Sequence, residues 1–211
     1  MARETFSSNQ HTVTLENKNI FSHFVTGYGI NNILYQRGIY PADSFKREQF
    51  YDLTLFVCVN KDLQDYLSNV LKQFKDWLED NALQRIVMVI SEIDSDEVLE
   101  RWQFDIQCEK TEQTENKKGT GKPPASKSKK DIQREMRDVI RQITASVTFL
   151  PFLERQCAFD LLAYTNKDQE IPETWEESQA RIIANSQEVR LRSFSTTVHK
   201  VDTMVSYKGE D

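Results

Sequence analysis

The sequence predicts a fold of the α+β class. Three segments repeat apolar residues at helical spacing, and runs of branched or alternating apolar residues lie between and after them. No regular strand–helix–strand unit recurs along the chain, so a doubly wound parallel sheet is not expected. The length of 211 residues suits one large domain or two small ones.

Three helices are predicted from apolar periodicity. The first spans residues 20–35, and the second spans 62–78, with Asp62 as its N-cap and a polar opposite face. The third spans 131–150 and ends because Pro151 cannot continue a helix. Apolar side chains cover much of its circumference, which favours a central helix packed on several sides.

Four strands are predicted between and after the helices. Residues 53–59 are rich in branched side chains, and 85–91 form a continuous apolar run, which is typical of a strand covered on both faces. In 101–106 apolar and polar residues alternate, which predicts one buried and one wetter face. Residues 157–164 are the fourth candidate.

The C-terminal segment 173–208 holds two β-like stretches, at 189–199 and 201–207, yet it contains no glycine and no proline. No turn residue fixes the register of these stretches, and the first has no decisively apolar face. Such a segment can pair in more than one way. An edge hairpin with a longer polar turn is the alternative.

Residues 109–130 have Ala125 as their only hydrophobic residue, which predicts a disordered loop. Between Lys117 and Lys130 this loop carries six lysines and no acid. Such a run can serve nucleic acid, targeting or an acidic partner, but a solvated loop is favoured because the run has no aromatic side chain for base stacking. The N-terminal residues 1–14 are predicted to be flexible as well.

The composition favours binding over catalysis. Only six glycines occur in 211 residues, and the pair Gly121-Lys122 is followed by proline, so no phosphate-cradling loop is present. The net charge of −6 argues against a protein that coats nucleic acid. No apolar run approaches the length of a membrane span, and the first residues lack an apolar signal core.

The cysteines and histidines predict no reactive site. Cys58, Cys108 and Cys157 are interpreted as buried reduced thiols. The three histidines supply no closely spaced metal ligands. A nucleophile triad of Cys157, His199 and Asp160 is conceivable on residue types alone, but no activating context accompanies the thiol. We therefore expect no enzyme, no metal and no cofactor.

Five long motifs occur along the chain: INNILYQRGIYP at 30–41, EVLERWQFD at 97–105, VIRQITASVTFLP at 139–151, WEES at 175–178 and VRLRSF at 189–194. They are similar to signatures of the HORMA-domain family, in its spindle-checkpoint branch. The resemblance extends from about residue 15 to residue 207 and implies a single domain over 15–207. It implies three main helices packed on a mostly antiparallel sheet, with a mobile C-terminal safety belt over 166–208.

The resemblance also implies a function. Members of this kind switch between open and closed conformers and trap a short partner peptide by β-augmentation, in which an extended ligand joins a sheet edge. The trapped motif would belong to the kinetochore receptor mitotic arrest deficient protein one, or to the cell-division-cycle activator of the anaphase-promoting complex, and anaphase would be delayed. An adaptor of translesion DNA synthesis or of the meiotic chromosome axis is the alternative.

Further partners and locations are implied by the same resemblance. They are a second copy of the chain, paired as an open–closed dimer, and a remodelling AAA+ ATPase with its adaptor. Neither nucleic acid nor a membrane would be bound directly. The implied locations are the nucleus, the kinetochore and the cytoplasm.

Three sets of site residues follow from the resemblance by position. The peptide-binding set is Cys157, Phe159, Leu161 and Tyr164 on the receiving strand, with Trp77 under the belt and Trp175 in it. The dimerisation set is Arg141, Gln142 and Phe149. The safety-belt set is Arg190, Arg192, Phe194, Val205 and Tyr207.

Simpler interpretations remain open for some charged and aromatic residues. Arg141 is either an interface residue or the partner of an internal acid. Phe149, close to Pro151, is more often a core residue than a contact. Glu100 and Arg101 beside Trp102, together with Arg37, are interpreted as structural groups, in which a charge pair braces a loop against the sheet.

Overall fold

The computed structural model describes residues 23–50, 53–108, 127–196 and 198–209. The predictions for 1–14 and for most of the lysine-rich loop lie outside these residues. The α+β class is confirmed. The helices are a π-helical segment (His23–Ile30) that leads into α1 (Asn31–Gln36), a 3-10 turn (Ala42–Ser44), α2 (Lys61–Glu79) and α3 (Lys129–Ser146). The strands are β1 (Phe45–Phe50), β2 (Leu53–Cys58), β3 (Leu83–Glu92), β4 (Val98–Cys108), β5 (Cys157–Thr165), β6 (Ser186–Arg190), β7 (Phe194–Ser195) and β8 (His199–Lys208).

Six of these strands form one antiparallel sheet. Its order is β5-β3-β4-β8-β6, and the short β7 pairs with β8 beside β6. Strands β1 and β2 form a separate hairpin. Strand β5 therefore ends the sheet on one side, and β3 is its only strand partner among the described residues.

The main core lies between the helices and one face of the sheet. Ile86, Met88 and Ile90 of β3 belong to it, together with Phe74 of α2 and Val139 of α3. Alternate β3 residues on the opposite face, such as Val87 and Val89, are also fully buried. Strand β3 is thus covered on both faces, as its continuous apolar run predicts.

The helix starts differ from those predicted. The N-cap of α2 is Asn60, whose Oδ1 accepts a hydrogen bond from the Leu63 N–H at 3.0 Å. Asp62 lies in the first turn instead, where a negative charge is favourable because the N-terminal N–H groups point toward it. Helix α3 begins at Lys129 with Ser128 as its cap, so it takes up the last residues of the predicted loop.

Strand β1 is absent from the predicted elements, and two thiols are placed differently. Strand β1 reads FKREQF and is largely exposed, so its sequence carries little apolar signal. Cys58 is buried as predicted, whereas Cys108 is exposed and Cys157 is half-buried. Their positions at a strand end and on the terminal strand β5 explain the exposure. All three cysteines are free thiols.

A buried ion pair joins the turn after α1 to the sheet. The Arg37 guanidinium donates from Nε to Glu100 Oε1 at 2.8 Å, and it also donates to the Pro151 carbonyl. Trp102 Nε1 donates to the second Glu100 oxygen at 3.0 Å. Burial raises the pKa of the Glu100 carboxyl, and the charge of Arg37 opposes that rise. The bracing interpretation is confirmed.

Removal of the Glu100 carboxylate should destabilise the fold strongly. Glu100→Ala leaves the Arg37 charge buried without its counter-ion, which costs about 3–5 kcal/mol. The free energy of unfolding, measured by urea denaturation, checks this value. As a control, Asp65→Ala breaks an exposed pair with Lys61 and should change stability by at most about 0.5 kcal/mol. Equal losses in the two variants would contradict the bracing role.

Candidate functional site

Strand β5 forms one wall of the candidate site. Cys157, Phe159 and Leu161 lie opposite Glu92, Ile90 and Met88, on the core side of the sheet. Tyr164 lies on the other face, where the Arg85 guanidinium stacks 5.5 Å from its ring centre. The predicted peptide-binding residues of β5 therefore point to both faces, and the backbone of this terminal strand is what the sheet edge presents.

Two tyrosines not predicted as site residues support Phe159. The ring of Tyr40, from the turn after α1, meets Phe159 edge-on at 6.3 Å. The ring of Tyr66, from α2, meets it edge-on at 5.8 Å. Burial and the nearby Asp160 charge raise the pKa of Tyr66, while a hydrogen bond to the Leu161 backbone opposes that rise. Helix α2 thus reaches the backbone of β5.

Residues 166–185, called here the crossing segment, begin at the end of β5. The Asn166 N–H donates to the Ala82 carbonyl at 3.0 Å. Farther along, the ring of Trp175 packs edge-on against Trp77 at 4.9 Å and lies 5.8 Å from Phe74. Trp77 is 3% exposed, so it lies beneath the segment as predicted. We call this contact the aromatic anchor.

A second contact, here called the charged anchor, holds the other end of the crossing segment. Arg181 donates from Nη1 and Nη2 to the two carboxylate oxygens of Asp96, at 2.8 and 2.7 Å. Its Nη2 also donates to Ser91 Oγ at 3.1 Å. Asp96 lies in the β3–β4 turn, and its pKa is lowered by the Arg181 hydrogen bonds.

The crossing segment therefore runs the length of β5. The aromatic anchor lies at the C-terminal end of α2, near the start of β3, and the charged anchor lies beyond the end of β3. Residues 176–180 between the anchors are all exposed. Within the crossing segment, contacts with the rest of the domain are made at Asn166, Trp175 and Arg181. The exposed stretch 176–180 makes the segment a strap beside the terminal strand of the sheet.

The predicted safety-belt residues lie at the opposite edge of the sheet. Val205 and Phe194 are buried in the core, while Arg190 is exposed on β6. The Tyr207 hydroxyl donates to Gln187 Oε1 at 2.9 Å within the β6–β8 hairpin. Strands β3 and β4 separate this hairpin from β5. In this arrangement the C-terminal stretches form the edge hairpin that was the alternative prediction.

The first of those stretches is shorter than predicted at its end. Strand β6 stops at Arg190, and β7 is only two residues long. Between them, the Leu191 N–H donates to the Thr203 carbonyl at 2.9 Å, and the Arg192 N–H donates to Gln142 Oε1 of α3. The polar residues that interrupt the apolar alternation of this stretch therefore lie where the chain contacts α3 rather than within a strand.

Of the predicted dimerisation residues, two are exposed: Arg141 near the C-terminal end of α3 and Phe149 in the turn that follows it. Arg141 is exposed and lies 3.6 Å from Asp138, which also accepts from Arg192 Nη1 at 2.9 Å. Gln142 is half-buried. Phe149 is 43% exposed, so the core interpretation of this residue is wrong. The acid next to Arg141 is a surface group rather than an internal one.

The described residues do not bring together the members of the conceivable nucleophile triad. They contain no cluster of three or more metal-ligating side chains. Cys157 and Asp160 lie on β5, whereas His199 faces Cys108 on the other side of β4. Within the described ranges, every helix is too short or too polar to cross a bilayer.

Sequence reasoning missed Arg181, Asp96, Tyr40 and Tyr66. The contacts of Arg181 join positions far apart in the chain, and nothing local marks either member. Tyr66 fits the apolar repeat of α2, yet its ring is 42% exposed and faces β5 rather than the core centre. Because Tyr66 fits that repeat, the sequence carries no signal that separates it from the core residues of α2.

Comparisons with known proteins match most of the chain. The family model of the HORMA domain matches residues 23–199. The human mitotic spindle assembly checkpoint protein MAD2A is 59% identical over 181 residues, covering 86% of this chain and 85% of that protein. MAD2A of Dictyostelium discoideum is 50% identical, covering 86% of each. A chain in the crystal structure of the mitotic checkpoint complex is 38% identical, with a TM-score of 0.81 over 92% of this chain and 99% of that one.

The titration of Asp96 should report the charged anchor. Because Arg181 stabilises the carboxylate, the contact is fully formed above the ordinary pKa of Asp96 and is lost as the pH falls through the lowered value. It should therefore be insensitive to pH near neutrality. Carboxyl-detected NMR should give a midpoint below the ordinary value, and Arg181→Gln should raise it. An unchanged midpoint in that variant would contradict the contact.

Proposed function

The chain belongs to the HORMA-domain family, and on that premise we propose that it is a spindle assembly checkpoint protein that traps a short partner peptide. The peptide pairs with the outer edge of β5 by β-augmentation, and the crossing segment closes over it. The main-chain groups of β5 supply affinity, and alternate side chains of the peptide supply specificity.

The observation that carries this proposal is the strap beside a terminal strand. A sheet edge offers unpaired N–H and C=O groups that another extended chain can pair with. Here that edge is accompanied by the crossing segment, whose stretch 176–180 between the two anchors is exposed. Side chains on the core face of a ligand strand would meet the aromatic groups around Phe159.

We propose the same two conformers that the family resemblance implies. In the closed one, the C-terminal hairpin pairs with β4, as described above. In the open one, the hairpin occupies another edge, and β5 is the edge that a ligand would then compete for. A shift of such a balance from 1:99 to 99:1 takes about 5.5 kcal/mol of differential affinity, a size that one buried ligand strand can supply.

The proposed ligands are motifs of mitotic arrest deficient protein one and of the cell-division-cycle activator of the anaphase-promoting complex. Trapping the activator would inhibit anaphase onset without any catalytic step in this chain. A remodelling AAA+ ATPase with its adaptor would reopen the closed form. The proposed locations are the kinetochore, the nucleus and the cytoplasm.

The checkpoint role is favoured over the two alternatives within the family. The relatives that are 59% and 50% identical carry checkpoint names, and their matches extend over most of both chains. An adaptor of translesion synthesis or of the meiotic axis would share the fold and the strap. Preference for the motif of the activator over motifs from those pathways would separate them.

We also propose that the α3 surface pairs an open copy with a closed copy of this chain. Arg141, Gln142 and Phe149 lie on that surface with Arg192, so the C-terminal segment contributes to it. Arginine and aromatic side chains are enriched at such interfaces. Because Arg192 belongs to the connection between β6 and β7, the surface would differ between the two conformers.

Peptide capture should depend on the aromatic anchor. An immobilised peptide carrying the receptor motif should bind the wild-type chain and release it slowly. Trp175→Ala should speed release roughly tenfold, because loss of about 1.4 kcal/mol of contact is a factor of ten. Surface plasmon resonance measures both rates, with Val59→Ala, an exposed apolar truncation elsewhere, as control. Absence of wild-type capture at micromolar concentration would overturn the proposed function.

Self-association should depend on Arg141. Arg141→Glu places a negative charge beside Asp138 and should abolish the dimer while leaving the fold intact. Sedimentation velocity on the chain with and without the receptor peptide measures the dimer fraction, and circular dichroism measures the fold. Arg134→Glu makes the same charge change on the exposed side of the same helix and should leave the dimer unchanged. A dimer that persists in Arg141→Glu would refute the assigned surface.

A further inference from the structure

We propose that Arg181 is a positioning residue whose contact with Asp96 sets how slowly this chain releases a captured peptide. The inference rests on the proposed function, since it assigns the charged anchor a role within peptide capture. It adds that release is limited by one ionic contact at the far end of the crossing segment.

The geometry around Arg181 joins three parts of the molecule. Its guanidinium forms a bidentate salt bridge with Asp96 in the β3–β4 turn, and it also donates a hydrogen bond to Ser91 at the end of β3. Asp160 of β5 lies 3.9 Å away. Arg181 thus connects the strap to the sheet and to the strand that would receive the ligand. A planar guanidinium matches a carboxylate in this geometry better than an ammonium does.

These contacts exist only while the crossing segment lies beside β5. Arg181 and Asp96 are 85 positions apart in the chain, so no local structure holds them together. A peptide lying between the strap and β5 can leave sideways only if one anchor opens. The aromatic anchor lies near the root of the strap, at the end of β5, whereas the charged anchor lies where the strap turns toward β6. Opening the charged anchor therefore frees more of the strap.

The backbone indicates that this position is imposed by the contact. Arg181 has φ 48°, in the left-handed region that residues with a long side chain rarely adopt. Asp96 has φ 57°, a conformation that aspartate tolerates in turns. Such conformations persist where surrounding contacts over-determine them. Two of the four non-glycine residues with positive φ in the described part of the chain are the two members of this pair.

Two carboxylates close to Asp96 are already paired with other groups. Glu97, adjacent to Asp96, pairs with Lys208 of β8 at 2.6 Å. Glu92 accepts from Arg155 at 2.7 Å and from Ser95 at 2.6 Å. Asp94, the remaining acid of the turn, is exposed. Arg181 bonds through both of its terminal nitrogens to Asp96. The side chain of Asp96 is 72% exposed, whereas that of Arg181 is 22% exposed, so dissolved salt reaches the pair.

This exposure separates the two anchors experimentally. Salt screens an exposed ion pair but leaves an aromatic contact largely unaffected. If the charged anchor limits release, the dissociation rate of the wild-type complex should rise with ionic strength. A variant without the Arg181 charge should release the peptide faster at low salt and should have lost most of that dependence.

The test uses the full chain and the immobilised receptor peptide, and dissociation is followed at 50 mM and 500 mM salt. The Debye length is about 14 Å at the lower salt concentration and about 4 Å at the higher one. At low salt, Arg181→Gln should dissociate roughly threefold to tenfold faster than the wild type. Asp96→Asn should raise the dissociation rate by a similar factor, because asparagine tolerates the left-handed backbone and only the charge is lost. Arg134→Gln breaks an exposed Arg–Asp pair on α3 and serves as the matched control.

The outcomes are distinguishable. Faster release in both variants, a double variant no faster than either single one, and loss of the salt dependence would support the role of the pair. Wild-type capture with unchanged dissociation rates in Asp96→Asn would overturn it while leaving the proposed function standing. If the wild-type chain captures no peptide, the proposed function itself fails. Should Arg181→Gln not fold by circular dichroism, Asp96→Asn alone decides.

Discussion

The pairing of β8 with β4 is the constraint on which the rest of the site depends. Its register runs from Tyr207 opposite Glu100 to His199 opposite Cys108, along all of β4 except its first two residues. With the C-terminal hairpin at that edge, β3 and β4 separate it from β5, and the chain must pass from one edge of the sheet to the other. The crossing segment and its two anchors follow from this single placement. The fully buried Val205 gives the pairing its apolar support.

Two ion pairs in this molecule differ in burial, and their roles differ accordingly. The side chains of Arg37 and Glu100 are almost inaccessible to solvent. Arg37 also donates to the Pro151 carbonyl and Glu100 accepts from Trp102, so the pair belongs to the core structure of the domain. Arg181 and Asp96 meet at the surface, where water can replace either partner. A contact that is well formed yet readily hydrated suits a segment that has to detach and return.

The helices and strands that form the core were largely predictable from the sequence, whereas the charged anchor of the crossing segment was not. Helices α2 and α3 and strands β3, β4 and β5 carry strong periodicity, because each presents one continuous apolar face or is buried on two. Strand β1 and the Asn60 cap were missed, since neither has an apolar pattern. Trp77 and Trp175 followed from the family resemblance. The Arg181–Asp96 contact joins two positions that are far apart in the sequence and that the fold brings together. No local sequence pattern predicts such a contact. For Phe149 the sequence left a core position open beside the dimerisation surface, because exposed and buried phenylalanines look the same in a sequence; its side chain is exposed.

The two anchors have a topological consequence for whatever lies beside β5. The crossing segment, β5 and the end of β3 together close a ring, sealed by peptide bonds along most of its circumference and by side-chain contacts at the anchors. Under the proposed function, a ligand segment in the middle of a long polypeptide would be threaded through this ring. The order of events is dictated by this geometry: such a segment has to be in place before the ring closes, and its lifetime there is the lifetime of the ring.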